Sequence, residues 1–168
     1  IGILSDSHHK NEYLKECIEF LKKENCEYLI HAGDICSKDG LDILKNSNLK
    51  YIAVFGNNDR ELFQFSEDYN IKKEPYYFKI KDKSFKLMHL PFHLHPDTDI
   101  IIFGHTHKFD CEYKNKKLFI NPGEVCAREK PIISCAKLEI NTNEYIITHY
   151  FKNTNENNFM KEEFRYEQ

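Results

Sequence analysis

Seven side chains carry the chemistry this sequence suggests: Asp6, His8, Asp34, Asn57, His89, His105 and His107. His105 and His107 stand two apart after the run Ile100-Ile101-Ile102-Phe103-Gly104, and Asp6 and His8 repeat that spacing after Ile1-Gly2-Ile3-Leu4-Ser5. Asp34 follows Gly33, Asn57 follows Gly56, and His89 follows an apolar run. Neutral imidazole is a favoured ligand for transition metals, and carboxylate and amide oxygens complete a mixed set. Such a set exceeds one tetrahedral zinc, which takes four ligands or three plus water. It suits two divalent ions side by side with one carboxylate bridging, and Asp34, freed by Gly33, is the expected bridge. Without thiolate the set favours manganese first, with Ni, Fe, Co or Zn as alternatives, over Mg or Ca.

Two ions about 3.5–4 Å apart are a device for phosphoryl chemistry. They neutralise phosphate oxygens and lower the pKa of a bridging water, whose hydroxide attacks phosphorus in line. No side-chain nucleophile is then needed, and the sequence has neither G-x-S-x-G nor C-x5-R.

The elements that must position these groups are legible from periodicity. Apolar runs at Ile1–Leu4, Tyr28–Ala32, Tyr51–Phe55 and Ile100–Phe103 read as buried strands. Helices are expected over about Asn11–Glu24, where Leu14, Cys17, Ile18 and Leu21 share one face, and over Lys38–Asn46 and Arg60–Tyr69. From Tyr76 the pattern becomes hairpins: 76–80 with 85–89, 109–113 with 118–120, and 132–140 with 145–150. Asn121-Pro122-Gly123-Glu124 reads as a tight turn, and the polar tail from Lys152 as a segment able to fray. A βαβαβα order followed by hairpins implies an α/β fold with a helix-covered parallel sheet and a second sheet packed on it. Sites in such folds lie at the carboxyl ends of the strands.

Each group has a blander reading. Asp6 could cap the first helix. His31 lies within its strand and reads as packed or supporting rather than ligating. Gly56-Asn57-Asn58-Asp59 is by itself a turn signature. His93 and His95 sit in a proline-bounded loop that is either plain surface or a lip facing substrate, and His149 reads as structural. What outweighs these readings is recurrence at successive strand ends.

The 168 residues fit one domain, 1–168, with a full core. The net charge of −3, with both signs interspersed, offers no basic stripe for a nucleic-acid backbone. No run approaches the ~20 apolar residues of a membrane span, and no signal peptide is visible. The six cysteines form no C-x-x-C pair and read as free thiols of a reducing, cytoplasmic setting. Tyr76-Tyr77-Phe78 reads as core or as a contact between copies in a homo-oligomer.

Ser5-Asp6-Ser7-His8, Gly33-Asp34, Gly56-Asn57-Asn58-Asp59, Met88-His89 and Gly104-His105-Thr106-His107 resemble, in order, the five motifs of the calcineurin-like metallophosphoesterases. Asn121-Pro122-Gly123-Glu124 and the short length resemble the small prokaryotic phosphodiesterase branch typified by YfcE. The resemblance spans roughly residues 1 to 150 and implies a four-layer α/β/β/α sandwich of two mixed sheets flanked by helices. It implies one ion on Asp6, His8, Asp34 and His107, and a second on Asp34, Asn57, His89 and His105. It implies hydrolysis of a small-molecule phosphoester, a diester before a monoester. Asp34, Asn57, Asn58, Asp59 and His89 are the expected catalytic residues, and Asn58 and His93 the expected substrate contacts. Two departures stand out. Asn58 occupies the place where many relatives carry a leaving-group histidine, and an amide is not an acid. Leu90-Pro91 replaces the Gly-His common after the His89 position. The rival reading is a non-catalytic protein-binding scaffold of the same fold, as in the retromer subunit Vps29. The complete ligand set favours the enzyme.

Overall fold

The computed structural model describes residues 1–168. Twelve strands and two α-helices follow in the order β1 (Gly2–Leu4), α1 (Asn11–Lys23), β2 (Tyr28–His31), α2 (Lys38–Lys45), β3 (Lys50–Val54), a 3-10 helix (Arg60–Phe65), β4 (Ile71–Lys72), β5 (Tyr76–Ile80), β6 (Lys83–Leu87), β7 (Ile100–Ile102), β8 (Phe109–Lys114), β9 (Lys117–Pro122), β10 (Ile132–Ile140), β11 (Glu144–Asn153) and β12 (Met160–Glu167). They build two mixed sheets, a seven-stranded one in the order β12-β11-β10-β1-β2-β3-β4 and a five-stranded one in the order β5-β6-β7-β9-β8. This is the expected α/β class.

The cores explain the layering. Ile3, Ile30 and Val54 of the first sheet meet Phe85, Leu87, Ile100, Ile102, Leu118 and Ile120 of the second between the sheets. Leu4, Leu29 and Ala53, on the other face, are covered by Leu14, Ile18 and Leu21 of α1, Leu41 and Leu44 of α2, and Leu62 of the 3-10 helix. Strands buried on both faces read as unbroken apolar runs, which is why β1, β2 and β7 are legible in sequence. On the outer face of the second sheet lie Met88, Ile101 and Phe103. There the loop 90–98 is tied down by Lys86, whose Nζ donates to the carbonyls of His93 (2.9 Å) and His95 (2.7 Å).

The three expected hairpins form as antiparallel pairs. Four details differ from the sequence reading. Arg60–Tyr69 yields only a 3-10 helix to Phe65, because the short link from the Asn57 loop must return at once to β4. Asn121 and Pro122 belong to β9, and Gly123 (φ 77°) makes the turn. Tyr77 is half exposed while Tyr76 and Phe78 pack on the inter-sheet core. The tail does not fray: Met160–Glu167 pairs with β11 over its full length. Phe164 and Tyr166 pack on the inter-sheet core there, whereas its outward residues are polar as befits an edge strand.

Candidate metal centre

Loops after β1, β2, β3, β6 and β7 converge at the carboxyl ends of these strands. Asp6 is fully buried; its Oδ2 accepts the Ser5 hydroxyl (2.5 Å) and the His105 backbone N–H (3.0 Å). Its Oδ1 faces His107 Nε2 at 3.2 Å and His8 Nε2 at 3.7 Å. Asp34 Oδ2 lies 3.4 Å from His8 Nε2 and 3.3 Å from His89 Nε2, so it stands between the two groups of side chains. His89 Nε2 is 3.0 Å from Asn57 Oδ1, and the rings of His89 and His105 meet edge-on, 5.2 Å between centroids. All seven candidates are therefore brought together. Asp6 does not cap α1, which begins behind Lys10 with no side-chain cap.

The outward nitrogens set the tautomers. His89 Nδ1–H donates to the Ala32 carbonyl (2.8 Å) and His107 Nδ1–H to Glu124 Oε2 (2.6 Å), which aims both Nε2 atoms inward, at Asp34 and Asp6. Glu124 is held in turn by the backbone N–H groups of Glu129 (2.8 Å) and Lys130 (3.3 Å) and by the Cys126 thiol (3.0 Å).

The donor set fits a divalent cation. Asp6 Oδ1 and His8 Nε2 are buried and have no hydrogen-bond partner. Carboxylate oxygens and imidazole nitrogens face each other at distances where acceptors repel unless a proton or cation lies between. The ionisation of the site records the same field. Burial alone would raise the Asp6 carboxyl, but hydrogen bonds with His107 and His8 hold it far below the usual carboxylate range. The Asp6 carboxylate, then Cys126 and Glu124, push His107 up to about 12. A site that stabilises an imidazolium so strongly stabilises a metal cation by the same electrostatics.

Backbone geometry concentrates strain here. Asp6 (φ 54°), His8 (39°), Asp34 (58°), His105 (68°) and His107 (60°) all adopt the left-handed conformation that non-glycine residues avoid. Two neighbouring glycines, Gly104 and Gly56, do not make the turns. The turn after β7 is made by His105 itself, and Gly104 serves close approach: a Cβ there would lie 2.0 Å from Ser5 Oγ. A Cβ on Gly56 would lie 2.1 Å from Asp34 Oδ1.

Other expected residues play different parts. The Asp59 carboxylate faces backbone, accepting the N–H groups of Asp34 (2.8 Å), Gly56 (2.8 Å) and Cys36 (2.7 Å); it positions loops and is not free to act on substrate. Asn58 binds Asp34 through its backbone N–H to Oδ1 (2.8 Å) and its amide to Oδ2 (2.6 Å), so neither oxygen of the expected bridge is bare. His93 has an exposed side chain with no bond to the cluster; its carbonyl is taken by Lys86, and the structure does not bring it to the site. His31 is buried against Ser7 Oγ (3.2 Å), consistent with a supporting role. Sequence reasoning missed Glu124 as the partner of His107, Glu74, which accepts the N–H groups of His89 and Leu90, and Cys36 beside His8. Only Glu124 left a signal, standing next to Gly123 in a quoted motif.

A fold of two mixed sheets with paired carboxylates and histidines at the strand ends defines a class, and the sequence comparison names it. The chain belongs to the calcineurin-like phosphoesterase superfamily, whose domain it matches over residues 1–143. It is 32% identical to phosphodiesterase MJ0936 of Methanocaldococcus jannaschii, over 86% of this chain and 95% of that one. Among solved structures it resembles an archaeal phosphodiesterase with TM-score 0.69 and 27% identity, covering 97% and 98% of the two chains. It also shares its fold with vacuolar protein sorting 29 from Cryptosporidium parvum, TM-score 0.75 at 24% identity, covering 97% and 96%.

Proposed function

We propose that this chain is a divalent-metal-dependent phosphodiesterase. The observation that carries the reading is the convergence of Asp6 Oδ1 and Asp34 Oδ2 on the Nε2 atoms of His8, His89 and His107, with buried donors left unpartnered. Likeness to the M. jannaschii phosphodiesterase supports it. Asp6, His8, Asp34 and His107 would hold one ion, and Asp34, Asn57, His89 and His105 the other, manganese being our first candidate. When bound, two such ions neutralise the phosphate and supply a nucleophilic water near neutral pH. The chain's own part is orientation. Ser5 and the His105 N–H fix Asp6, the Ala32 carbonyl fixes His89, and Glu124 fixes His107. Asn58 stands where a proton donor would assist departure, and an amide cannot release a proton as an acid does. Diesters with good leaving groups are therefore the expected substrates. The six unpaired thiols support a reducing, cytoplasmic setting.

The scaffold reading rests on the fold shared with vacuolar protein sorting 29. Against it, the chain keeps every candidate ligand and holds five of them in strained backbone conformations, which pure scaffolding does not require. The deciding experiment is hydrolysis of bis(p-nitrophenyl) phosphate by metal-free protein with Mn, Ni, Co, Zn or Mg restored, beside Asn57→Ala and His105→Ala. Metal-dependent turnover lost in both variants is expected. Two bound ions without turnover would favour the scaffold, and no bound ion would overturn the site assignment.

A further inference from the structure

The two histidines on the Asp6 side of the centre are supported unequally. His107 Nδ1 is 2.6 Å from a carboxylate that is itself fixed by backbone amides. The only hydrogen-bond partner of the His8 ring is the Cys36 sulfur, 3.5 Å from Nδ1. Cys36 is partly exposed, sits in the left-handed conformation (φ 66°), and is held there by its N–H bond to Asp59 Oδ1 (2.7 Å). On the inward side His8 Nε2 is buried and unpartnered, and it faces the buried, equally unpartnered Asp6 Oδ1. For that Nε2 lone pair to point inward, the proton must sit on Nδ1, where the Cys36 sulfur is the protein acceptor within reach.

We propose that Cys36 is a positioning residue: its sulfur accepts the His8 Nδ1–H and so selects the tautomer and ring orientation that present Nε2 to a cation beside Asp6. The inference rests on the metal-dependent reading above. It runs through Asp59, which fixes the backbone of Cys36 and of Asp34 with one carboxylate, so the ligands from the β1 and β2 loops are set by a shared anchor. Sulfur is a weak acceptor, which makes His8 the loosest of the oriented imidazoles and the one most sensitive to its partner.

The test is equilibrium dialysis of the full chain against Mn(II), with Cys36→Ala, Cys36→Ser and, as a control, Cys111→Ala. Loss of an outer partner of a ligating histidine typically weakens binding about 10- to 100-fold. Cys36→Ala is expected to lose about that much at one of two sites and nothing at the other. Cys36→Ser should recover most of it, because a hydroxyl also accepts, and this guards against a misfolded alanine variant. Cys111→Ala, on β8 where the thiol meets the Tyr166 hydroxyl, should change affinity less than about threefold. A second readout needs no metal: imidazole nitrogen NMR of the apo protein should show the Nδ1–H form of His8 losing population in Cys36→Ala. Unchanged Mn(II) affinity in Cys36→Ala overturns the proposal, as does a sulfur-to-metal charge-transfer band from Cys36 in the cobalt-loaded protein, which would make it a ligand. If wild type binds no ion, the metal-centre reading falls, and the tautomer measurement alone decides the role of Cys36.

Discussion

Asp59 Oδ2 accepts the backbone N–H of Asp34 at 2.8 Å, so a carboxylate from the loop after β3 holds the central side chain of the loop after β2 in place. The same group accepts from Gly56 and Cys36, and it is fully buried. Leaving a buried donor unpaired costs about 1–3 kcal/mol each. Asp59→Ala strands the buried Asp34 N–H and two part-buried ones that water can reach, for an expected loss of about 2–4 kcal/mol, read as a shift in urea midpoint at constant slope. If Asp59 acted instead on substrate, the variant would lose turnover while keeping its stability.

Glu124 supports a different prediction. Its Oε2 takes the His107 Nδ1–H, and the His107 contact helps hold the Glu124 carboxyl down to about 2 against the opposing effect of burial. Glu124→Gln keeps the shape and removes the charge, so His107 becomes a poorer donor of its Nε2 electrons. Metal affinity at the Asp6 side is expected to fall about 10- to 100-fold, with the other site unaffected. Isothermal titration with Mn(II) resolves the two sites, and equal loss at both would show a general collapse of the centre.

Strands β1, β2, β3 and β7 were legible because strands buried on both faces are apolar without interruption, and the seven donors because each stands at a strand end. The left-handed backbone at Asp6, His8, Asp34, His105 and His107 was not, since Asp and His take a positive φ more often than most residues but still rarely, and nothing marks the position. Gly33 turns with φ 93°, as its place before Asp34 implies, whereas Gly56 and Gly104 are there to let side chains in. Asp59 looked catalytic because it shares a loop with Asn57; only the fold reveals that its oxygens are spent on backbone. β12 was misread because an edge strand buries one face, and two aromatics in a polar tail make a thin signal.

His149 predicts an acid-side loss of stability. Burial lowers its pKa from an ordinary 6.5 to about 4. Its ring stacks on Phe109 at 3.8 Å, and Nε2 bonds Ser134 Oγ at 2.8 Å; Glu162, 3.9 Å from Nδ1, is too exposed to keep the ring charged. Between those two pH values the unfolded chain binds the proton and the folded chain does not. The contribution is thus complete above about pH 6.5 and is lost as pH falls toward 4, up to roughly 3 kcal/mol. Other buried groups titrate there too, so the observable is the difference between wild type and His149→Phe, which keeps the stack. That difference should favour wild type more at pH 7 than at pH 4.5; a pH-independent gap would mean His149 is not held neutral.

Lys86 governs the loop that follows His89. Its side chain is 1% exposed, yet its Nζ has three partners on that loop: the carbonyls of His93 and His95 and the carboxylate of Asp97. The exposed Phe92 rides on the same segment, so the strap decides whether this apolar tip has a fixed place. Asp97 is half exposed and would rehydrate when released, which limits the cost of Lys86→Met to about 1–2 kcal/mol. The larger effect is local. Amides of residues 90–98 should exchange at least tenfold faster in Lys86→Met, while those of β6 and β7 beneath keep their protection. Hydrogen exchange read by mass spectrometry separates the outcomes. Unchanged exchange across the loop would show that its own turns, and not the lysine, hold it; faster exchange in β6 as well would mean that Lys86 secures the sheet rather than the loop.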